Sequence, residues 1–171
     1  MRNHRLNLGN YGRFRVNLEG LLKNLMRLES FIGNATLAMD SAGRTNLPKE
    51  FRKVLADENE GQVVVTIAEG HTLALYPLAE WNRYIQYLDG LGRGPDISKF
   101  RTRITAYAKL STLDGQNRIT LTSEQLSHAG IQGEVTFVGD GKKIRLWAPN
   151  RYASEIEIVS AEEETRFAHW Y

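Results

Sequence analysis

Two short stretches carry an aspartate four residues before an arginine: Asp40 and Arg44 in DSAGR, and Asp114 and Arg118 in DGQNR. An Asp and an Arg at this spacing, on either side of a tight turn, can face each other. The carboxylate then accepts paired N–H bonds from the guanidinium. One reading of each pair is structural, a clamp that fixes its turn. The arginine allows another. Its planar fork of five donors can be shared between a carboxylate and a phosphate or a guanine edge. A two-stranded ribbon fits the DNA major groove, so a hairpin tip that presents Arg44 or Arg118 suits sequence readout. Lys49, Arg52 and Lys53 follow the first cassette and suit phosphate contacts, which position without specifying. The same three side chains also fit a solvated helix face.

Other chemistry finds less support. Asp40 and Asp114 could form a carboxylate pair, but each has its own Arg, which holds it ionised and occupied. Ser41, His71 and His128 are the types of a hydrolytic triad, with nothing in the sequence to orient them. GRG (92–94) and GDG (139–141) lack the Walker pattern and the dinucleotide-binding context. His4, His71, His128 and His169 have no metal-ligand spacing. Cysteine is absent, which excludes disulfides, thiol nucleophiles and thiolate metal sites. The expectation is a protein that is not an enzyme, with no cofactor, no metal and no small-molecule ligand.

The elements that must position the cassettes occur twice. Shifting the chain by 74 residues lays Asp40 on Asp114, Arg44 on Arg118 and Leu47 on Leu121. Further on the shift becomes 71, after a deletion near DENEG. Leu73 then meets Ile144, Leu75 meets Leu146, Tyr76 meets Trp147 and Trp81 meets Tyr152. The matched positions of these aromatics predict core packing rather than a ligand box.

Each unit reads strand, turn, strand, helix, strand, strand. In the first, NATLAM (34–39) and RTNL flank SAG, where Gly43 suits a positive φ. Pro48 suits a helix start. Leu47, Phe51, Val54 and Leu55 share one helical face. VVVTI (63–67) and TLALY (72–76) are joined by EGH. In the second, AKLSTL and RITL flank DGQN, a short helix carries Leu126 and Ala129, and EVTFV and KKIRLW are joined by GDGK. A helix follows each unit, with Leu78, Trp81, Ile85 and Leu88 forming one stripe and Tyr152, Ile156 and Val159 a shorter one.

The expected organisation is an extension over 1–26, a first unit over 34–81 with its helix at 78–89, a linker over 90–106, a second unit over 110–153, and an acidic and aromatic tail over 154–171. One unit of about fifty residues buries too little to stand alone. Two units that pair their hairpins form a small barrel-like core with pseudo-two-fold symmetry.

The order of features resembles the MraZ family of bacterial transcriptional regulators, built from two SpoVT–AbrB-type units. The resemblance is carried by DSAGRTNLPKEFRKVL (40–55), TLALYPLAEW (72–81), LDGQNRITL (113–121) and HAGIQGEVTFVGDGKKIRLW (128–147), then Arg151 and Tyr152. It implies an α+β, mainly β fold. This is a swapped-hairpin, AbrB-like double-psi-type barrel formed by two tandem ββαββ units, with a helix after each. It also implies a homo-oligomeric ring that binds double-stranded DNA at direct repeats upstream of its own gene, at the head of the division and cell-wall cluster. There it regulates transcription, usually as a repressor. The DNA-contacting segments are then Asp40 to Arg44 and Asp114 to Arg118, with Gly43 and Asn117 shaping the turns. Three positions depart from the pattern. Asn117 stands where Gly is usual, Thr122 stands where Pro is common, which predicts a weakened second helix start, and Gln125 occupies an apolar position of that helix.

The chain has 171 residues and a net charge of +2, unevenly laid out. Residues 1–25 hold Arg2, Arg5, Arg13, Arg15 and Lys23 against Glu19, a local +4 that leaves −2 for the rest. Bulk charge therefore does not explain nucleic-acid binding, which needs local basic groups or assembly. Residues 1–25 read as an unstructured extension, a misassigned start ahead of Met26, or a basic arm on DNA phosphates. No apolar run is long enough for a membrane helix, so a cytoplasmic protein is expected, and the family resemblance implies one associated with the nucleoid. The rival function is an AbrB-type antitoxin or an oligomeric scaffold. Two units and a short tail weigh against an antitoxin, for which one unit and a long tail are usual.

Overall fold

A computed structural model describes residues 30–56, 61–92, 94–156 and 164–166. The expectations for residues 1–26 and for most of the tail lie outside the described residues. The first unit runs β1 (Asn34–Ala38), β2 (Arg44–Asn46), α1 (Lys49–Ala56), β3 (Gln62–Ala68) and β4 (Thr72–Pro77). Helices α2 (Leu78–Gly90) and α3 (Pro95–Ala106) follow it. The second unit runs β5 (Lys109–Thr112), β6 (Arg118–Thr120), α4 (Ser123–Ala129), β7 (Glu134–Asp140) and β8 (Lys143–Trp147), and ends in α5 (Pro149–Glu155).

The strands form a six-stranded antiparallel sheet, ordered β1-β7-β8-β4-β3-β5, and a two-stranded ribbon, β2-β6. Exchanging the two units reverses the sheet order without changing it. The register obeys the same exchange. Arg44 pairs with Thr120 and Asn46 with Arg118, so Thr45 and Ile119 lie at the centre of the ribbon. Leu73 pairs with Leu146 and Leu75 with Ile144, which centres the β4–β8 ladder on Ala74 and Arg145. The two centres embody the shifts of 74 and 71 residues. Neither unit closes on itself: β1 pairs with β7, and β5 with β3, each across the unit boundary.

One core is shared by both units. Leu47, Phe51 and Leu55 of the first pack with Ile119, Leu121 and Ala129 of the second, over Val63, Leu75, Val135 and Leu146. Each large apolar side chain buried here stabilises the fold by about 1.5–3 kcal/mol. Phe31 packs edge-on to Phe51, ring centres 5.7 Å apart. A second cluster holds Val64, Trp81, Leu88 and Ile104, with Tyr76, Tyr84 and Ile85 against it. The α2 stripe is thus seated on the sheet. The matched aromatics recur as matched pairs, Tyr76 with Trp81 at 5.8 Å and Trp147 with Tyr152 at 6.4 Å.

The stretch 90–106, read as a linker from its Gly and Pro content, holds a twelve-residue helix, α3. Pro95 sits in its first turn, where the missing N–H costs nothing. Its Ile104 is buried in the second cluster, and the Ile104 carbonyl accepts a hydrogen bond from the buried Thr66 hydroxyl at 2.5 Å. The connection is therefore an ordered part of the structure.

The second helix start is not weakened. Thr122 and Gln125 form a capping box: Gln125 N donates to Thr122 Oγ1 at 3.2 Å, and Thr122 N to Gln125 Oε1 at 3.0 Å. Gln125 is 1% exposed, and its Nε2 donates to the carbonyls of Val65 at 2.9 Å and Tyr107 at 3.0 Å. A polar side chain at an apolar position is tolerated here because its amide is satisfied on both sides.

Candidate nucleic-acid interface

Both cassettes fold into the same turn. In the first, Asp40 N donates to the Arg44 carbonyl at 2.9 Å and Gly43 N to the Asp40 carbonyl at 3.0 Å. The Asp40 carboxylate accepts from Ala42 N and Arg44 N on Oδ1, both at 3.0 Å, and from Arg44 Nε on Oδ2 at 2.8 Å. In the second, Asp114 Oδ1 accepts from Gln116 N and Arg118 N at 2.9 Å, and Oδ2 from Arg118 Nε at 2.8 Å. The backbone bonds recur as well, Asp114 N to the Arg118 carbonyl and Asn117 N to the Asp114 carbonyl.

Each turn needs one left-handed residue. Gly43 has φ +75° and Asn117 has φ +59°, so Asn takes the glycine's place without changing the turn. At Gly43 a second constraint applies. A Cβ there would lie 2.6 Å from the Leu121 carbonyl oxygen, closer than real Cβ atoms approach.

The Arg44 backbone N–H, followed by its guanidinium, holds the Asp40 carboxyl below the usual carboxylate range. Arg118 does the same to Asp114, again first through its backbone N–H. An exposed ion pair adds little stability. Its effect here is on direction. Only Nε of each arginine is engaged, and among the described residues Nη1 and Nη2 of Arg44 and Arg118 have no hydrogen-bond partner.

The β2–β6 pairing brings the cassettes together. Thr45 and Ile119 point into the core, each 1% exposed, so Arg44, Asn46, Arg118 and Thr120 alternate onto the outer face. Arg44 and Arg118 are diagonal neighbours on that ribbon, a relation that sets backbones about 7–8 Å apart. Their side chains remain 46% and 28% exposed.

The chain order does not predict how helix α1 is placed. Leu47 N donates to the Asn117 carbonyl at 3.0 Å, and Leu121 N to the Gly43 carbonyl at 2.9 Å. Helix α1, with exposed Lys49 and Lys53, thus starts beside the turn of the other unit. Arg52 is half-buried and its Nε, shielded from solvent, has no partner among the described residues, so it departs from a plain solvated helix face. Shifting by 74 lays Ser123, Leu126 and Ser127 of α4 on Lys49, Arg52 and Lys53, so the two helices differ in charge. The residues considered for a triad do not assemble one. His71 and His128 rings lie 5.5 Å apart, but Ser41 has no hydrogen bond to either among the described residues. No cluster of three or more potential metal ligands occurs among the described residues, and no helix there is long and apolar enough to cross a membrane.

Comparison with known proteins places the same units in a family. The family model described as "MraZ protein, putative antitoxin-like" matches residues 30–93 and again 104–168. The chain is 32% identical over 133 residues to a Thermomicrobium roseum protein named transcriptional regulator MraZ, covering 77% of this chain and 91% of that one. It is 33% identical over 127 residues to the Tolumonas auensis protein of that name, covering 73% and 84%. A Yersinia pestis protein of that name is 31% identical over 139 residues, covering 80% and 91%.

Proposed function

The chain belongs to the MraZ family, and on that premise we propose that it is a sequence-specific, double-stranded DNA-binding regulator of transcription. In this reading it represses its own operon, the division and cell-wall gene cluster, by binding upstream direct repeats as a ring of identical chains. The observation that carries the reading is the matched pair of turns: Arg44 and Arg118 on one exposed ribbon face, each steered through Nε by its own aspartate, with the Nη donors left over.

Each arginine has the donor pattern for a guanine edge, and a bidentate contact of that kind discriminates by about 1–3 kcal/mol. Asp40 and Asp114 act by aiming the guanidinium, and Gly43 and Asn117 by closing the turn. Lys49 and Lys53 supply phosphate contacts beside the second turn, and Arg52 supports them from a half-buried position. The reciprocal pairing of β1 with β7 and β5 with β3 is what a swapped-hairpin barrel requires, and it supports that description of the core. A single ribbon with three nearby cations binds weakly in salt. Several ribbons on one ring, facing spaced repeats, gain a factor of about 10²–10⁴ from effective concentration.

The test is a titration of DNA from immediately upstream of the gene against a scrambled duplex of equal length, with Arg44→Ala and Arg118→Ala beside the unaltered protein. Preference for the upstream duplex, lost in both variants, is the expected result. Equal affinity for the two duplexes refutes the reading and moves an antitoxin or scaffold role to the front.

A further inference from the structure

A second feature lies away from the ribbon. A cleft of about 690 Å³ opens between β3, α2, α3 and the β7–β8 hairpin, a size typical of small-molecule sites. One wall is aromatic. Tyr76 and Tyr84 stack with ring centres 5.5 Å apart and planes 12° apart. Tyr84 is also held edge-on by Trp81, at 6.3 Å. Phe100, 45% exposed, lines the same cleft from α3. An exposed phenyl ring lining a cleft that also has a fixed, stacked tyrosine pair offers apolar surface to a flat ring.

The rim is charged, and the charges do not balance. Three carboxylates line the cleft against five cations. All three carboxylates are engaged. Arg145 bridges Glu69 at 2.6 Å and Asp140 at 3.2 Å, Lys143 pairs with Asp140 at 3.0 Å, and Glu80 is shared by Arg83 and Lys142. Arg103, the fifth cation, has no side-chain partner among the described residues. The surplus is positive, and Arg103 lies on the same helix as Phe100. Burial pushes the Tyr76 and Tyr84 hydroxyls up, so both keep their protons at neutral pH and remain donors.

We propose that this cleft binds a small anion carrying a planar ring, with the ring between Phe100 and the Tyr76–Tyr84 stack and the anionic group on Arg103. A bare anion leaves the aromatic walls unused, and an uncharged ring leaves Arg103 unpaired. A cationic ligand meets the positive surplus. The site joins α3 to both units, because its lining comes from β3 and β4 of the first, from α2 that follows it and from the β7–β8 hairpin of the second. This inference stands apart from the DNA reading. The expectation of no small-molecule ligand rested on the missing nucleotide-binding and metal-ligand patterns and on the paired aromatics. Those pairs are packed as expected, yet Tyr76 also faces this cleft.

The test is calorimetric titration of the full chain with 1-naphthyl phosphate, with inorganic phosphate and 1-naphthol as half-ligands. For a ligand of this size the expected Kd is about 0.1–1 mM. Each half-ligand binds at least about tenfold more weakly, because each forfeits one wall of the site. Arg103→Ala and Phe100→Ala, both at exposed positions that leave the core intact, each weaken the naphthyl phosphate by about fivefold or more. Absence of binding to 1-naphthyl phosphate at about 5 mM overturns the proposal. So does equal binding of all three probes, or an affinity that neither substitution changes.

Discussion

Gly43→Ala isolates the geometry on which the first cassette depends. An L-residue at φ +75° costs about 1–2 kcal/mol relative to glycine. The new Cβ would also stand 2.6 Å from the Leu121 carbonyl oxygen, a backbone atom that cannot swing aside as a side chain can. Relieving that contact pushes Leu121 away and stretches its N–H bond to the Gly43 carbonyl, now 2.9 Å, a loss of about 0.5–1.5 kcal/mol. The total is about 1.5–3.5 kcal/mol, or about 3–14 °C in Tm for a chain of this size. Asn117→Ala is the matched control. Asn117 already carries a Cβ at the corresponding place, so only the difference between Asn and Ala at φ +59° is lost, about 1 kcal/mol or less. Urea denaturation followed by circular dichroism, at one fixed protomer concentration, measures both. Equal losses in the two variants, or no loss in Gly43→Ala, would refute the argument that the close approach to Leu121 is what demands glycine.

Three further outcomes are expected. Gln125→Leu removes the acceptor that caps Thr122 N and both donors to the Val65 and Tyr107 carbonyls, so it destabilises by about 2–4 kcal/mol in the same denaturation assay. The lowered pKa of Asp40 and Asp114 means their bonds stabilise the fold above the ordinary aspartate range, and that contribution fades as pH falls through the lower folded values. Denaturation midpoints of the double variant Asp40→Asn, Asp114→Asn should therefore depend less on acid than those of the unaltered protein. Lys49→Ser and Lys53→Ser, which copy the residues of α4, should each lower the salt slope of DNA binding by about one while sparing preference for the upstream duplex.

Much of this arrangement is legible in the residues because the chain repeats. The shifts of 74 and 71 residues reappear as the centres of the β2–β6 and β4–β8 pairings, since two copies of one unit must pair about an axis. The turn chemistry is legible too: an aspartate, a left-handed position and an arginine at fixed spacing leave the backbone few alternatives. Helix α3 was hidden by composition. Gly92, Gly94 and Pro95 read as a break, yet Pro95 is the start of the helix, and Ile97 and Ile104, seven apart, mark its apolar stripe. Gln125 misled because its position was read by helical period alone. The Thr-x-x-Gln pattern of a capping box was present at 122–125, whereas the carbonyls that satisfy its amide come from Val65 and Tyr107. The placement of α1 beside the turn of the opposite unit, and the cleft lined by α2, α3 and the β7–β8 hairpin, follow from long-range pairing that no local pattern encodes.

The central claim is that the arginine turns read DNA sequence. The most direct measurement is fluorescence anisotropy at fixed salt with a labelled duplex from immediately upstream of the gene and a scrambled duplex of equal length. The account predicts tighter binding to the upstream duplex, with Arg44→Ala lowering that preference by at least about fivefold, the lower weight of one bidentate base contact. Equal binding of the two duplexes, or a preference that survives in Arg44→Ala, would contradict it.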